Sequence, residues 1–320
     1  MEAYFASFPI WANFLFFAAG LFIITKGADW FTDGAVGVAE ITGIPKVIVG
    51  ATLVSLATTA PEFSVSVIAA WLEHPATSVG NAVGSTICNI GLILAVAFLL
   101  EPVSLAREDV LPKGLFMLMM GVLLLTLGWD GKIARVEGVV LFVFVPVYLW
   151  FTMKRATWTD FDIGSAVTDR EKQHVGLLFI AGSIAVVFGS ILLVQNAVHL
   201  ARAMGVPELI IALTLVAIGT SLPELITAVS ASLSGHGDMA VGNVLGANVL
   251  NIAWVLGGAS LITPLGIEHQ SFVLDFPFML LMMVLFVFFA VWRRRLGSSA
   301  GLMFLAGYVC YLVLMFAYFV

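Results

Sequence analysis

Residues 57–89 read ATTAPEFSVSVIAAWLEHPATSVGNAVGSTICN, and residues 219–251 read GTSLPELITAVSASLSGHGDMAVGNVLGANVLN. The second stretch is the first displaced by 162 positions without a gap. Thr58 falls on Thr220, Pro61 on Pro223, Glu62 on Glu224, His74 on His236, Gly80 on Gly242, Asn81 on Asn243, Gly84 on Gly246 and Asn89 on Asn251. Outward, the same register pairs Pro45 with Pro207, Thr52 with Thr214 and Ile90 with Ile252. Chance similarity between apolar stretches matches Leu, Val and Ala. Here the matches are Pro, Glu, Asn and Gly, which a membrane helix holds only for a reason, so the chain is read as a duplication.

Both copies lie in an apolar chain. Of 320 residues, 61% are hydrophobic and 11% charged, with a mean hydropathy of +1.08. A soluble domain carries about 25% charged residues. A helix across ~30 Å of hydrocarbon needs about 20 mostly apolar residues. Ten segments qualify: 9–26, 44–71, 78–100, 111–129, 136–153, 174–200, 206–233, 239–262, 272–292 and 300–320. These runs are far longer than the ~10-residue strand of a membrane barrel and lack its period-two alternation, which leaves helices. The net charge of −6 and the absence of a basic, aromatic-interleaved cluster exclude a nucleic-acid partner. Cys88 and Cys310 stand alone in apolar runs and read as packing residues. The chain opens Met1-Glu2-Ala3, without the basic region of a cleavable signal, and its first apolar run is long enough to stay as a helix.

The most polar stretch, 154–173, falls between the fifth and sixth segments and reads as a linker joining a first five-helix repeat, 1–153, to a second, 174–320. Five is odd, so the second repeat enters from the opposite side. The expected fold is an all-α membrane protein of ten transmembrane helices in two inverted-topology five-helix repeats, a common design of secondary transporters. One set of loops holds Lys26, Lys46, Arg107, Lys113, Lys154, Arg155, Arg170, Lys172 and Arg293 to Arg295, the other only Lys132, Arg135 and Arg202. Positive-inside bias then makes the linker cytoplasmic and puts both termini outside a multi-pass plasma-membrane protein.

Glu62 and Glu224 lie near the middle of their spans, where an ionisable group is costly and functional by default. Pro61 and Pro223 each remove a backbone N–H and clash with the preceding turn, so carbonyls around 55–58 and 217–220 are expected to lose helical partners. Carbonyls, the hydroxyls of Thr58, Thr59, Thr220 and Ser221, and two carboxylates form an oxygen set suited to hard cations. No thiolate or imidazole set sits at that depth, which disfavours zinc and copper. The competing reading makes the prolines simple kinks and each Glu a neutral acid bonded to a neighbour. Recurrence at equivalent positions weighs against it. Gly80 and Gly84, like Gly242 and Gly246, have the small-xxx-small spacing of close helix packing. Asn81 and Asn243 suit interhelical hydrogen bonds, whereas the deeper Asn89 and Asn251 are expected to turn oxygens toward the glutamates. Asp29, Asp33 and Glu40 are expected to flank the first cytoplasmic loop, solvated or capping, His74 and His236 to lie at the interface, and Arg293 to Arg295 to serve as a headgroup anchor.

These paired motifs resemble the α-repeats of the cation/Ca2+ exchanger superfamily, most closely its prokaryotic Na+/Ca2+ exchangers. The resemblance implies ten helices, three Na+ sites around one Ca2+ site, and sliding of the first and sixth helices for alternating access. It implies that Glu62 and Glu224 are the Ca2+ carboxylates, shared with Na+, with the Thr58 and Thr220 carbonyls completing the Ca2+ shell. One Na+ site would take Thr58, Thr59, Ser85 and the Ser55 carbonyl. Its mate would take Thr220, Ser221 and the Ala217 carbonyl, with Asn89 and Asn251 framing the centre. Ca2+ and Na+ are then cargo, the bilayer is the partner, and no cofactor, obligate protein partner or enzymatic activity is implied. This chain departs from the pattern at Ala247, where a serine is expected, at Thr86, where an asparagine is expected, and in the first motif, Ala57-Thr58-Thr59-Ala60-Pro61-Glu62. Asn251 is neutral where the K+-dependent branch carries an acid, which argues against K+ use. Two carboxylates neutralise one Ca2+, while three Na+ leave one excess charge, so exchange is expected to be electrogenic. A Ca2+/H+ antiporter on the same glutamates is the alternative, and a channel is a third class.

Overall fold

A computed structural model describes residues 8–42, 54–155, 169–233, 235, 237–293 and 295–320. The expected pairings at Pro45, Lys46, Thr52 and His236, the side chain of Glu40, Arg294 and most of the 154–173 linker lie outside the described residues.

The chain runs through α1 (Ile10–Thr42), α2 (Val54–Thr58), α3 (Ala60–Trp71), α4 (Pro75–Cys88), α5 (Ala95–Leu100), β1 (Val103–Ser104), α6 (Arg107–Leu127), β2 (Lys132–Ile133) and α7 (Arg135–Arg155). It continues through α8 (Asp169–Met204), α9 (Glu208–Thr220), α10 (Leu222–Leu233), α11 (Gly237–Leu250) and α12 (Gly257–Ile262). β3 (Leu265–Gly266), α13 (Phe276–Arg293), β4 (Arg295–Leu296) and α14 (Ser298–Phe319) complete it. Among the described residues eight helical stretches are long and apolar enough to cross a membrane, and the bent pair α9–α10 makes up to nine. The remaining expected span, 44–71, begins in residues that are not described; its described part is α2 and α3.

Two of these spans are central. Pro75–Leu100 and Ala240–Ile262 are 78% and 83% buried inside the protein, against 22–39% for the other single spans, whose apolar side chains face outward. Both centre on a π-turn, Asn89–Leu94 and Asn251–Leu256, again 162 residues apart. The short strands recur too. β1 pairs antiparallel with β4 and β2 with β3, so each ribbon joins the two halves of the chain. From β1 to β3 the offset is 162, but from β2 to β4, and from Trp129 to Trp292, it is 163. A π-turn also occurs within α9, at Ala212–Val216, and between β3 and α13 lies another, Ser271–Asp275, whose wider ring takes one more residue than an α-turn.

The helix α1 is 33 residues long and α8 is 36, or about 50 Å each at 1.5 Å per residue, well beyond the hydrocarbon. They pack antiparallel and close. A Cβ added to Gly20, Gly27 or Gly34 would fall within 3 Å of Leu193, Ala185 and Phe179 respectively. The spacing of seven keeps those glycines on one stripe. This corrects one expectation: the first helix does not end near residue 26, so Asp29 and Asp33 lie exposed on its continuation. Once outside hydrocarbon the backbone keeps its own hydrogen bonds, and polar side chains such as Lys26 and Asp29, paired at 3.1 Å, need not end it.

Candidate ion-binding site

The site is built on two helix breaks. α2 gives way to α3 at Thr59, and α9 to α10 at Ser221 with a bend of 44°. Each break precedes a proline in the first turn of the next helix, where its missing N–H costs nothing. Glu62 and Glu224 follow in those same first turns, at the positive end of the helix dipole. Both are buried, at 1% and 0% exposure, and close enough to act on each other electrostatically. The carbonyls of Ser55 and Ala217 are not stripped of helical partners as expected, since each accepts the amide four residues on, from Thr59 and Ser221. The bonds that Pro61 and Pro223 cannot make are those to residues 57 and 219. A bonded carbonyl still keeps a second lone pair for a cation.

Around Glu62 the polar groups are joined. Ser221 Oγ donates to Glu62 Oε1 at 2.9 Å. Asn81 Nδ2 donates to the Glu62 carbonyl at 3.1 Å and to Ser66 Oγ at 3.0 Å, while its Oδ1 accepts from Thr220 Oγ1 at 3.0 Å. Thr220 and Ser85 hydroxyls both point at the Ala217 carbonyl, at 3.2 and 3.4 Å. Around Glu224 they are not joined. Both Glu224 carboxylate oxygens and Thr59 Oγ1 are buried without a hydrogen-bond partner, as are Glu62 Oε2, Asn89 Oδ1 and Asn251 Oδ1. Leaving such groups unsatisfied costs about 1–3 kcal/mol each. Six orphaned oxygens, half of them on carboxylates, fit a hard cation, which repairs the deficit by coordination.

The two sides of this core also differ in access. A cavity of about 540 Å³, on the side of β1, reaches Ser55 and Asn243, whose side chains meet at 3.4 Å. At the equivalent place on the other side, Asn81 is fully buried. A Cβ on Gly80 would lie 2.6 Å from Ala212 Cβ, and one on Gly84 2.6 Å from the Leu213 carbonyl. A Cβ on Gly242 would meet only Lys113 Nζ, at 3.8 Å.

Thus Glu62, Thr220, Ser221, Ser85 and Ala217 gather with Asn81, while Thr58 and Ser55 form a second group, the Thr58 hydroxyl pointing at the Ser55 carbonyl at 3.4 Å. This corrects the expectation that Ser85 shares a site with Ser55: α4 packs against α9 and carries the Ser85 hydroxyl to the Ala217 carbonyl instead. No hydrogen bond within 3.5 Å reaches the Glu224 carboxylate or the Asn251 amide, and the Thr58 hydroxyl faces Glu224 from farther away. Asn248, which sequence reading passed over, accepts from Asn89 Nδ2 at 2.9 Å and so leaves Asn89 Oδ1 unengaged. Its signal was present: Asn248 follows Ala247 where Thr86 follows Ser85. Asp275 was also missed. It is fully buried in its π-turn and accepts from Ser271 at 3.0 Å, Tyr311 at 3.0 Å and Gln270 at 3.4 Å. His74 is buried and faces Glu208 at 3.3 Å, where Thr77 also donates at 2.5 Å. In the loop before Ser271, burial and the nearby carboxylates of Glu208 and Asp275 push the Glu268 carboxyl up.

Comparison with known proteins gives the family. The family model for sodium/calcium exchanger protein matches residues 12–154 and 174–317. The inner membrane protein YrbG of Escherichia coli is 35% identical over 93% of this chain and 94% of its own length. The sodium/calcium exchanger MaX1 of Methanosarcina acetivorans is 29% identical over 96% and 99%. The solved structure of the sodium-calcium exchanger NCX_Mj, soaked with Na+ and Sr2+, superposes with a TM-score of 0.68 at 30% identity, covering 94% of this chain and 97% of that one. The chain belongs to the sodium/calcium exchanger family, and is a helical, multi-pass membrane antiporter that exchanges cations against Ca2+ and is not an enzyme.

Proposed function

We propose that this antiporter exchanges Na+ for Ca2+ by alternating access, on ten helices in two inverted five-helix repeats, 1–153 and 174–320, joined by a 154–173 linker. The observation that carries the reading is the pair of buried carboxylates, Glu62 and Glu224, each one residue after a proline at a helix break, with three of their four oxygens lacking a hydrogen-bond partner. Recurrence of the π-turns and the cross-paired ribbons at nearly constant offset supports the inverted repeat. Glu62 and Glu224 hold Ca2+ with the carbonyls of Thr58 and Thr220. Na+ takes the same carboxylates with Thr58, Thr59 and the Ser55 carbonyl on one side, and with Thr220, Ser221, Ser85 and the Ala217 carbonyl on the other. Asn89 and Asn251 turn their amide oxygens to the centre.

Two carboxylates cancel the charge of one Ca2+, so the loaded site crosses a low-dielectric barrier neutral. Three Na+ leave one excess charge, worth about 2.3 kcal/mol per 100 mV, so the membrane potential drives Ca2+ outward. Asn251 adds no third carboxylate, which suits exchange without K+. The Lys and Arg distribution puts the linker, β1, β4 and the 540 Å³ cavity on the cytoplasmic face of the plasma membrane and both termini outside. The test is Ca2+ uptake into proteoliposomes with Na+ and pH gradients imposed separately. An outward Na+ gradient alone, without K+, is expected to drive uptake and to respond to membrane potential. Uptake that follows only the pH gradient would move the chain to Ca2+/H+ exchange.

A further inference from the structure

The cytoplasmic cavity contains a charge that ion coordination does not use. Lys113, in the second turn of α6, lines it together with Asp109 and Asp238, and Ser55 and Asn243 form its inner end. Its ammonium stands 3.8 Å from where a Cβ on Gly242 would be, one residue from Asn243. An ammonium beside a cation route opposes the cargo. The equivalent positions of the second repeat are not basic: offsets of 162 and 163 lead to Asp275 and Phe276.

We propose that Lys113 is a specificity-determining residue that sets the valence preference of the cytoplasmic vestibule, holding Ca2+ back more than Na+. This rests on the exchange reading above, with the cavity as the ions' cytoplasmic route. Asp109 and Asp238 draw both cations in, and Lys113 subtracts from that attraction. The energy of an ion in a potential is proportional to its charge. The potential added by one ammonium therefore enters once for Na+ and twice for Ca2+. If Lys113 lowers the local concentration of Na+ by a factor f, it lowers that of Ca2+ by f squared. A merely structural lysine would not generate that square.

The test uses Lys113→Gln, with Lys113→Arg to keep the charge and Lys113→Met as a second neutral variant should Gln disturb folding. A reporter thiol, Thr152→Cys, is placed on the cavity wall in a Cys310→Ala background, the remaining Cys88 being buried. The ratio of its modification rates by cationic and anionic methanethiosulfonates should rise several-fold in Lys113→Gln. It should stay at the parental value in Lys113→Arg and shrink toward it as choline chloride screens the cavity. In oriented proteoliposomes, half-saturating cytoplasmic Na+ should fall by a factor and Ca2+ by about its square, with the external face unchanged. An unchanged reagent ratio, or equal factors for the two ions, overturns the proposal. A shifted ratio in a protein that carries no Na+-driven Ca2+ flux upholds the charge effect and rejects the exchange reading instead.

Discussion

The two halves of the ion site are built from the same motif and yet differ. Glu62 lies in a joined network, with Ser221, Asn81 and Thr220 linked by bonds of 2.9–3.1 Å. Glu224 and Thr59, in the equivalent half, have no hydrogen-bond partner for their buried oxygens. The joined half is walled off by Gly80 and Gly84 against α9, and the unjoined half opens to the cavity through Ser55 and Asn243. A duplicated motif thus supplies equal chemistry, while packing decides which half is closed. Under the alternating access proposed above, the two halves would exchange these roles.

The comparison breaks if the two carboxylates are unequal in function. Glu62→Gln and Glu224→Gln should each abolish Ca2+ transport in a folded protein, because each removes half of the compensating charge. Near-normal Ca2+ flux in either, measured in proteoliposomes, would mean that only one half holds the ion.

Packing gives the next largest contrast. Gly80→Ala puts a methyl 2.6 Å from Ala212 Cβ, whereas Gly242→Ala meets only a lysine tip. Overpacking costs about 1–3 kcal/mol, and a substitution into open space stays within about 0.5 kcal/mol. Thermal unfolding in detergent should therefore separate the two clearly. Equal melting would show that the wall and the cavity are not the distinct surfaces described.

Ser85 and Ala247 are equivalent positions, and only Ser85 offers a hydroxyl. Ala247→Ser, beside Gly246 and Ser55, should strengthen Na+ competition with Ca2+ from the cytoplasmic face, and Ser85→Ala, at the Ala217 carbonyl, should weaken it from the external face. A neutral ligand contributes about 1 kcal/mol, so each shift should be several-fold when Na+ inhibition is measured one face at a time. No change in Ala247→Ser would remove residue 247 from the ion path.

The smallest effect concerns the hydroxyls at the breaks. Ser221→Ala removes a bond to Glu62 and should lower stability without ions by about 1 kcal/mol or less. Thr59→Ala removes an unpartnered group and should not lower it at all. Added Na+ should stabilise the parent more than either variant. Loss of ion-free stability in Thr59→Ala alone would reverse the assignment of joined and unjoined halves.

Much of this was legible from the chain because the duplication isolates the polar residues: Pro61 with Pro223 and Glu62 with Glu224 stand out against apolar neighbours that drift freely. Asn248 was hidden because its counterpart is Thr86 and matching by identity passes over it. Asp275 was hidden because it lies among apolar residues in a π-turn, and a turn with one added residue breaks the periodicity by which a buried face is read. The extensions of α1 and α8 escaped because hydropathy marks where hydrocarbon ends and not where a helix does.

By itself, the sequence determined the membrane-spanning helices, the duplicated broken-helix motifs and the oxygen chemistry of the site. These follow from residue type and spacing: apolar length against bilayer thickness, proline against helical hydrogen bonding, carboxylates against the cost of burial. The tertiary structure alone decided that Glu62 is joined and Glu224 is not, that Asn248 fixes Asn89, and that Lys113 lines the 540 Å³ cavity. Equivalent residues carry equal preferences, but a single packed arrangement cannot close both sides of one site at once. Which side is closed is therefore a property of how the helices meet, and no residue encodes it alone.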